Sequence, residues 1–97
     1  MKHTIENGTL TFFLEGELNS SNSEEAEKEI ESVMANSTYE AIVLDLKDLK
    51  YTSSAGLRII VRLKQQCDDT SLINVPKDIY SILEMVGFQN LLKIEKL

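Results

Sequence analysis

The sequence predicts a single α/β domain over residues 1–97, a mixed β-sheet that opens with an antiparallel hairpin and carries crossover helices packed against it. Three observations lead there. Asn7-Gly8 separates two runs rich in β-formers, and this dipeptide is a strong hairpin turn because both central positions want positive φ. Ala41–Leu46 is a nearly continuous apolar run, which suits a strand buried on both faces of a sheet. Three stretches repeat apolar residues at helical spacing and alternate with strand candidates, the pattern of crossover connections. At 97 residues with 42% hydrophobic and 27% charged side chains, the chain can fill one core without metal or disulfide staples.

The elements follow in order. Lys2–Glu6 and Thr9–Glu15 form the hairpin, and Gly16-Glu17-Leu18-Asn19 leaves the second strand. Ser21, three residues before Glu24, fits a capping box opening the first helix. Ala26, Ile30, Val33 and Met34 share that helix's apolar face, Glu24, Glu27, Lys28 and Glu31 its solvated one, and it ends near Asn36. After Ala41–Leu46, residues 47–52 read as a polar connection. A second helix starts at Ser53-Ser54 and runs to about Gln66, with Leu57, Ile60, Val61 and Lys64 along one stripe and Arg58, Arg62 and Gln65 along another. Ser71–Val75 is a short strand, placed in a third layer. Pro76 suits the first turn of a third helix whose apolar face is Ile79, Ile82, Leu83 and Val86, with Gly87 as its C′ residue. Leu92–Glu95 reads as a final strand or a helix end.

Charge and composition exclude several function classes. The formal net charge is -6, concentrated in residues 1–50, which hold 11 acidic against 4 basic residues. No basic stripe is dense enough for a duplex, so nucleic acid is not an expected direct partner. Anionic membrane surfaces repel such a chain, and no apolar run approaches the ~18 residues of a membrane span, so no membrane insertion is expected. The N-terminus lacks the apolar core of a signal peptide, and the single cysteine, Cys67, cannot form an internal disulfide. A cytoplasmic protein is expected.

Catalytic signals are missing. There is no phosphate-binding glycine loop and no Cys-x-x-Cys, and the single histidine, His3, sits on the hairpin without a nucleophile or acid beside it in sequence. No metal-ligand cluster is apparent. The chain reads as a binding module, not an enzyme. Its notable segment is Asp45–Arg58, DLKDLKYTSSAGLR, which links a strand to a helix start. Ser54 is at or next to the N-cap. A phosphate there would carry about −1.5 to −2 charges, held by the first-turn N–H groups and the positive end of the helix dipole. Arg58, one turn on, is placed to pair with it. The plainer reading is that Ser53 or Ser54 caps the helix, worth ~1 kcal/mol, and residue physics alone leaves that reading ahead. Asp45 and Asp48 read as strand-end and turn residues, Cys67 as an inert helix end, and Tyr80 and Met85 as partly exposed boundary residues of the third helix.

The segment LDLKDLKYTSSAGLRIIV, residues 44–61, resembles the signature of the STAS family of anti-sigma factor antagonists: a strand leading into a serine–small–glycine–leucine helix start. FLEGELNSSNSEEAEKEI resembles that family's second strand, its G-x-L-D motif and first helix, and INVPKDIYSILEMVGF its late strand and third helix. Regulatory members are phosphorylated on the serine two residues before the glycine. That glycine is Gly56 here, so the matching residue is Ser54. Two positions depart from the pattern. Ser53 stands where many members have Asp, which leaves it as an alternate acceptor, and Asn19 replaces the Asp of G-x-L-D.

The resemblance implies a partner switch. The unphosphorylated chain binds an anti-sigma factor serine kinase and frees the sigma factor, phosphorylation of Ser54 weakens the complex, and a serine phosphatase reverses it. The implied contact residues are Gly16, Glu17, Leu18 and Asn19 together with Thr52, Ser53, Ser54, Ala55, Gly56, Leu57, Arg58 and Arg62. The chain needs no cofactor in this cycle, and ATP belongs to the kinase. The alternative is an accessory subunit of a membrane lipid-transport ATPase complex, which needs a packing surface and no phosphorylation.

Overall fold

In the computed structural model, which describes residues 1–97, the hairpin forms as its turn signal requires. Strands β1 (Lys2–Glu6) and β2 (Thr9–Leu18) pair antiparallel around Asn7 and Gly8, both at positive φ. Helix α1 (Ser23–Ala35), strand β3 (Ala41–Thr52), helix α2 (Ser54–Gln66), strand β4 (Thr70–Val75), helix α3 (Lys77–Met85), a 3-10 turn (Phe88–Asn90) and strand β5 (Lys93–Lys96) follow. The sheet order is β1-β2-β3-β4-β5, with every pairing after the hairpin parallel. No helix is long and apolar enough to cross a membrane.

This order places the helices. Each parallel step moves to the next strand in the same direction, and such crossovers are right-handed, so all three helices fall on one face of the sheet. One buried cluster confirms it, joining Ile30 and Met34 of α1, Ile59, Ile60 and Leu63 of α2, and Ile79 and Leu83 of α3 to buried residues of the strands. Those strand residues are Leu10, Phe12 and Leu14, then Ile42, Leu44 and Leu46, then Leu72 and Val75. Leu44 is fully buried at the sheet's centre, where truncation to Ala costs about 2–5 kcal/mol. The other sheet face carries Phe13, Val43, Asp45 and Ile73, all half-buried, so β3 is covered on one side and not on both.

Several boundaries move from their expected places. Strand β2 does not end at Glu15. It slips register twice around Gly16, which has φ +72, and then pairs on to Leu18 opposite Thr52. A positive-φ glycine lets the strand absorb the irregularity and continue. Residues 47–52 are accordingly strand, because β2 supplies partners for their backbone. Strand β4 joins the same sheet and forms no third layer. The buried stripe of α2 is Ala55, Gly56, Ile59, Ile60 and Leu63, with Leu57 and Val61 half-buried at its border. Val86 is exposed and Met85 is 84% exposed, because α3 ends at Met85 and Gly87 turns the chain away in the left-handed region. The final strand is preceded by the 3-10 turn, which buries Phe88.

Candidate functional site

The ends of β2 and β3 bring the two sequence motifs together. Leu18 and Thr52 are in register as the last residues of neighbouring parallel strands. Ser53 then turns the chain into α2 in an extended conformation, and its N–H and hydroxyl both donate to the Leu18 carbonyl, at 2.9 and 3.2 Å. The Ser53 side chain is therefore half-buried and committed to the strand end; it does not cap its own helix. Ser54 is the first residue of α2. It is exposed, and its hydroxyl makes no hydrogen bond.

Gly56 sets how closely α2 approaches the strands. A Cβ at this position would collide with Thr52 Oγ1 and come within 2.9 Å of Leu18 Cδ2. Thr52 is 5% exposed and β-branched, so it has little room to yield. The glycine is thus a packing requirement that fixes the height of Ser54 above Leu18 and Thr52.

The G-x-L-N segment builds the other half. Asn19 Oδ1 accepts from the N–H and hydroxyl of Ser21, at 2.9 and 2.6 Å, and from the Asn22 N–H at 3.2 Å. Asn22 reciprocates by accepting the Asn19 N–H at 2.9 Å and by donating its amide to the Glu17 carbonyl at 2.8 Å. This Asx-type network opens α1 in place of the Ser21–Glu24 capping box, and Asn22 is the N-cap position. A side-chain oxygen at position 19 is what the loop needs. Asn supplies it as Asp would, and also donates to Glu17 Oε1 at 3.4 Å.

The expected contact residues divide by exposure. Gly16, Glu17, Ser54, Arg58 and Arg62 are exposed, whereas Leu18, Thr52, Ala55 and Gly56 are buried beneath them, with Asn19, Ser53 and Leu57 between. Arg58 has no ion pair and lies one helical turn from Ser54, where side chains four apart are neighbours. Arg62 is held by Glu27 of α1 at 2.6 Å, so Glu27 is a half-buried partner and not part of a free solvated face. Asp45 lies within β3, where it accepts from Asn74 Nδ2 at 3.0 Å and from the Lys47 N–H at 3.0 Å. Asp48 is exposed on the same strand and faces Glu15 in register. Cys67 is buried at the C-terminus of α2. Tyr51, 47% exposed, stands in register with Glu17 beside these residues.

With a strand-end serine, a close-packed glycine and an Asx-opened helix meeting at one edge, the relatives are informative. A sequence model of the STAS domain matches residues 1–96. This chain belongs to the STAS domain family. BtrV of Bordetella bronchiseptica, described as an anti-sigma factor antagonist, is 31% identical over 97% of this chain and 85% of its own length. Among solved structures, a Thermotoga maritima protein (tm1081) described in the same terms superposes with a TM-score of 0.88 at 20% identity, over 99% of this chain and 86% of the other. The anti-sigma factor antagonist SpoIIAA in its unphosphorylated form gives 0.80 at 15% identity, over 99% and 87%. At these identities the two structures establish the fold alone. The STAS domain described here shares it end to end.

Proposed function

We propose that this chain is the antagonist of a partner switch. Its unphosphorylated form binds an anti-sigma factor with serine-kinase activity and so frees a sigma factor. Phosphorylation of Ser54 weakens that complex, and a serine phosphatase restores it. The chain performs no catalysis in this cycle and acts in the cytoplasm. The relationship to BtrV supports the antagonist role, and SpoIIAA, of the same fold, is known in a phosphorylated form as well.

The observation that carries the reading is the contrast between adjacent serines. Ser53 is bonded to Leu18, whereas the Ser54 hydroxyl is exposed and unbonded at the first position of a 13-residue helix. A dianion at that position is favoured by the helix dipole and by Arg58, so modification leaves the fold intact. It reverses the charge that the helix start presents to a partner, and like-charge or desolvation costs across an interface then lower affinity. Partner binding before and after phosphorylation, with Ser54→Ala and Ser54→Asp as controls, tests the reading. Ser54→Ala should bind constitutively and Ser54→Asp should bind weakly; equal binding by both would remove Ser54 from the mechanism. An accessory subunit of a membrane transport ATPase complex has no need of a free Ser54, and co-purification with such an ATPase would favour that role.

A further inference from the structure

Strand β1 is an uncovered edge of the sheet, and all its residues, Lys2 to Glu6, are exposed. The two-residue turn at Asn7-Gly8 makes Glu6 and Thr9 a hydrogen-bonded pair, because such a turn closes on the residues that flank it. Antiparallel pairs alternate, so Thr4 and Lys2 also spend their N–H and C=O groups on β2, while those of His3 and Ile5 point away from the sheet. Side chains alternate too. His3 and Ile5 lie on the helix side, in register with buried Phe12 and Leu10, and Lys2, Thr4 and Glu6 on the bare side. Ile5 is left 45% exposed. Neither Lys2 nor Glu6 has an ion-pair partner within the chain, and Lys2 rests over the Phe13 ring, 5.3 Å from its centroid. The opposite edge is blunted. Strand β5 is four residues long, three of them charged, and its pairing slips register between Leu72 and Val75.

We propose that β1 pairs with β1 of a second copy of this chain, antiparallel about a two-fold axis at Thr4. The strand specifies itself as the occupant. An antiparallel neighbour presents outward-pointing groups to outward-pointing groups, which leaves registers centred on His3, Thr4 or Ile5. Centred on Thr4, His3 of each copy faces Ile5 of the other, so every outward N–H and C=O of the strand is bonded. The same register sets Lys2 of each copy opposite Glu6 of the other, in the non-hydrogen-bonded sites where side chains approach most closely, and Thr4 opposite Thr4. The registers centred on His3 and on Ile5 set Lys2 or Glu6 opposite Thr4 and match neither charge. Two short strands make a small contact, so the dimer is weak and fills as concentration rises. Strand β1 reaches along β2 only to Phe13, which leaves the strand end carrying Leu18 and Ser53 outside the pairing. Dimerisation is therefore independent of the Ser54 reading.

The test is sedimentation equilibrium of the whole chain from about 10 μM to about 1 mM, with amide NMR over the same range. Physiological salt screens the net charge of -6 on each copy beyond about 8 Å. The mean mass should climb from 11.0 kDa toward twice that value, and solvent exchange of the His3 and Ile5 amides should slow as it does. Lys2→Glu and Glu6→Lys should each weaken association about tenfold, by setting like charges opposite one another. Mixing these two variants should restore it, because each supplies the charge the other lacks, and so should the double variant Lys2→Glu/Glu6→Lys alone. Ile5→Pro removes an outward N–H that β2 does not use, so it should keep the circular dichroism spectrum and lose association. A single-chain mass at the highest concentration would overturn the proposal and leave the edge to a strand of another protein. Association that survives Ile5→Pro, single reversals that associate as the wild type does, or reversals that fail to rescue one another would overturn it equally.

Discussion

Ser53 and Leu18, 35 residues apart, are joined by two hydrogen bonds to one acceptor: the N–H and the hydroxyl of Ser53 both donate to the Leu18 carbonyl. The pair ties the start of α2 to the end of β2 and removes the Ser53 hydroxyl from solution. A kinase acting on the folded chain should therefore modify Ser54 and leave Ser53 alone. Peptide mass spectrometry after incubation with a kinase of the anti-sigma type should find phosphate on Ser54 in the wild type and none on Ser53 in Ser54→Ala. Ser53→Ala loses one of two donors while the carbonyl keeps the other, so denaturant unfolding should show a loss of about 0.5–1.5 kcal/mol.

Gly56→Ala opposes two effects. Alanine inside a helix gains about 1 kcal/mol over glycine. Against that, the new methyl meets Thr52 Oγ1 and Leu18 Cδ2 in a buried contact that has to open. Overpacking of this kind costs about 1–3 kcal/mol and exceeds the helix gain where the neighbours are stiff. The variant should be destabilised by about 1 kcal/mol, and its partner affinity should fall further than stability explains, because α2 and Ser54 lift away from the strand ends. An Ala variant as stable as wild type with unchanged affinity would show that the contact gives way freely.

What could be read from the sequence was local. The Asn7-Gly8 turn and the apolar spacing of Ile30, Met34, Ile79 and Leu83 are set by neighbours within a few residues, and they formed as expected. The positions that moved depend on distant partners. Residues 47–52 look like a connection because their side chains are polar, yet β2 holds them as strand, and that pairing is possible only through the register slips at Gly16. Ser21 and Glu24 have the spacing of a capping box, but Asn19 Oδ1 takes the Ser21 N–H that the box would give to Glu24, and Asn22 becomes the N-cap position. The candidate site divides likewise. That α2 opens at Ser54 follows from local sequence, whereas the tie of Ser53 to Leu18 and of Arg62 to Glu27 spans 35 residues and leaves no local trace.

Asn19 separates a structural role from a charge role. Its Oδ1 accepts three bonds that open α1, so Asn19→Ala should lose about 1–2 kcal/mol by thermal or denaturant unfolding, as loss of a helix-start acceptor does. Asn19→Asp keeps the acceptor and gains a favourable charge near a helix N-terminus, but gives up the donor to Glu17 and sets two carboxylates together. Those terms offset, and stability should stay within about 0.5 kcal/mol of wild type. If Asp costs as much as Ala, the amide donor and not the oxygen is what holds the loop.

The Arg62–Glu27 pair bridges α1 and α2 at 2.6 Å, with Glu27 18% and Arg62 52% exposed. It is more sheltered than the Glu24–Lys28 pair within α1, whose side chains are 85% and 75% exposed. Exposed pairs are worth about 0–1 kcal/mol, and shelter from water moves a pair toward the upper end of that range. A double-mutant cycle with Glu27→Gln and Arg62→Gln should give a coupling energy of about 0.5–1 kcal/mol that falls in high salt, and the equivalent cycle at Glu24 and Lys28 about half that or less. Because Arg62 is occupied by Glu27, the single Glu27→Gln variant has a second consequence. It frees a guanidinium on the same helix as Ser54, and salt dependence of partner association should change in that variant even where its stability does not. A coupling energy indistinguishable from zero would mean that α1 and α2 are held together by Ile30, Met34 and their apolar neighbours alone, and that Arg62 is as available to a partner as Arg58.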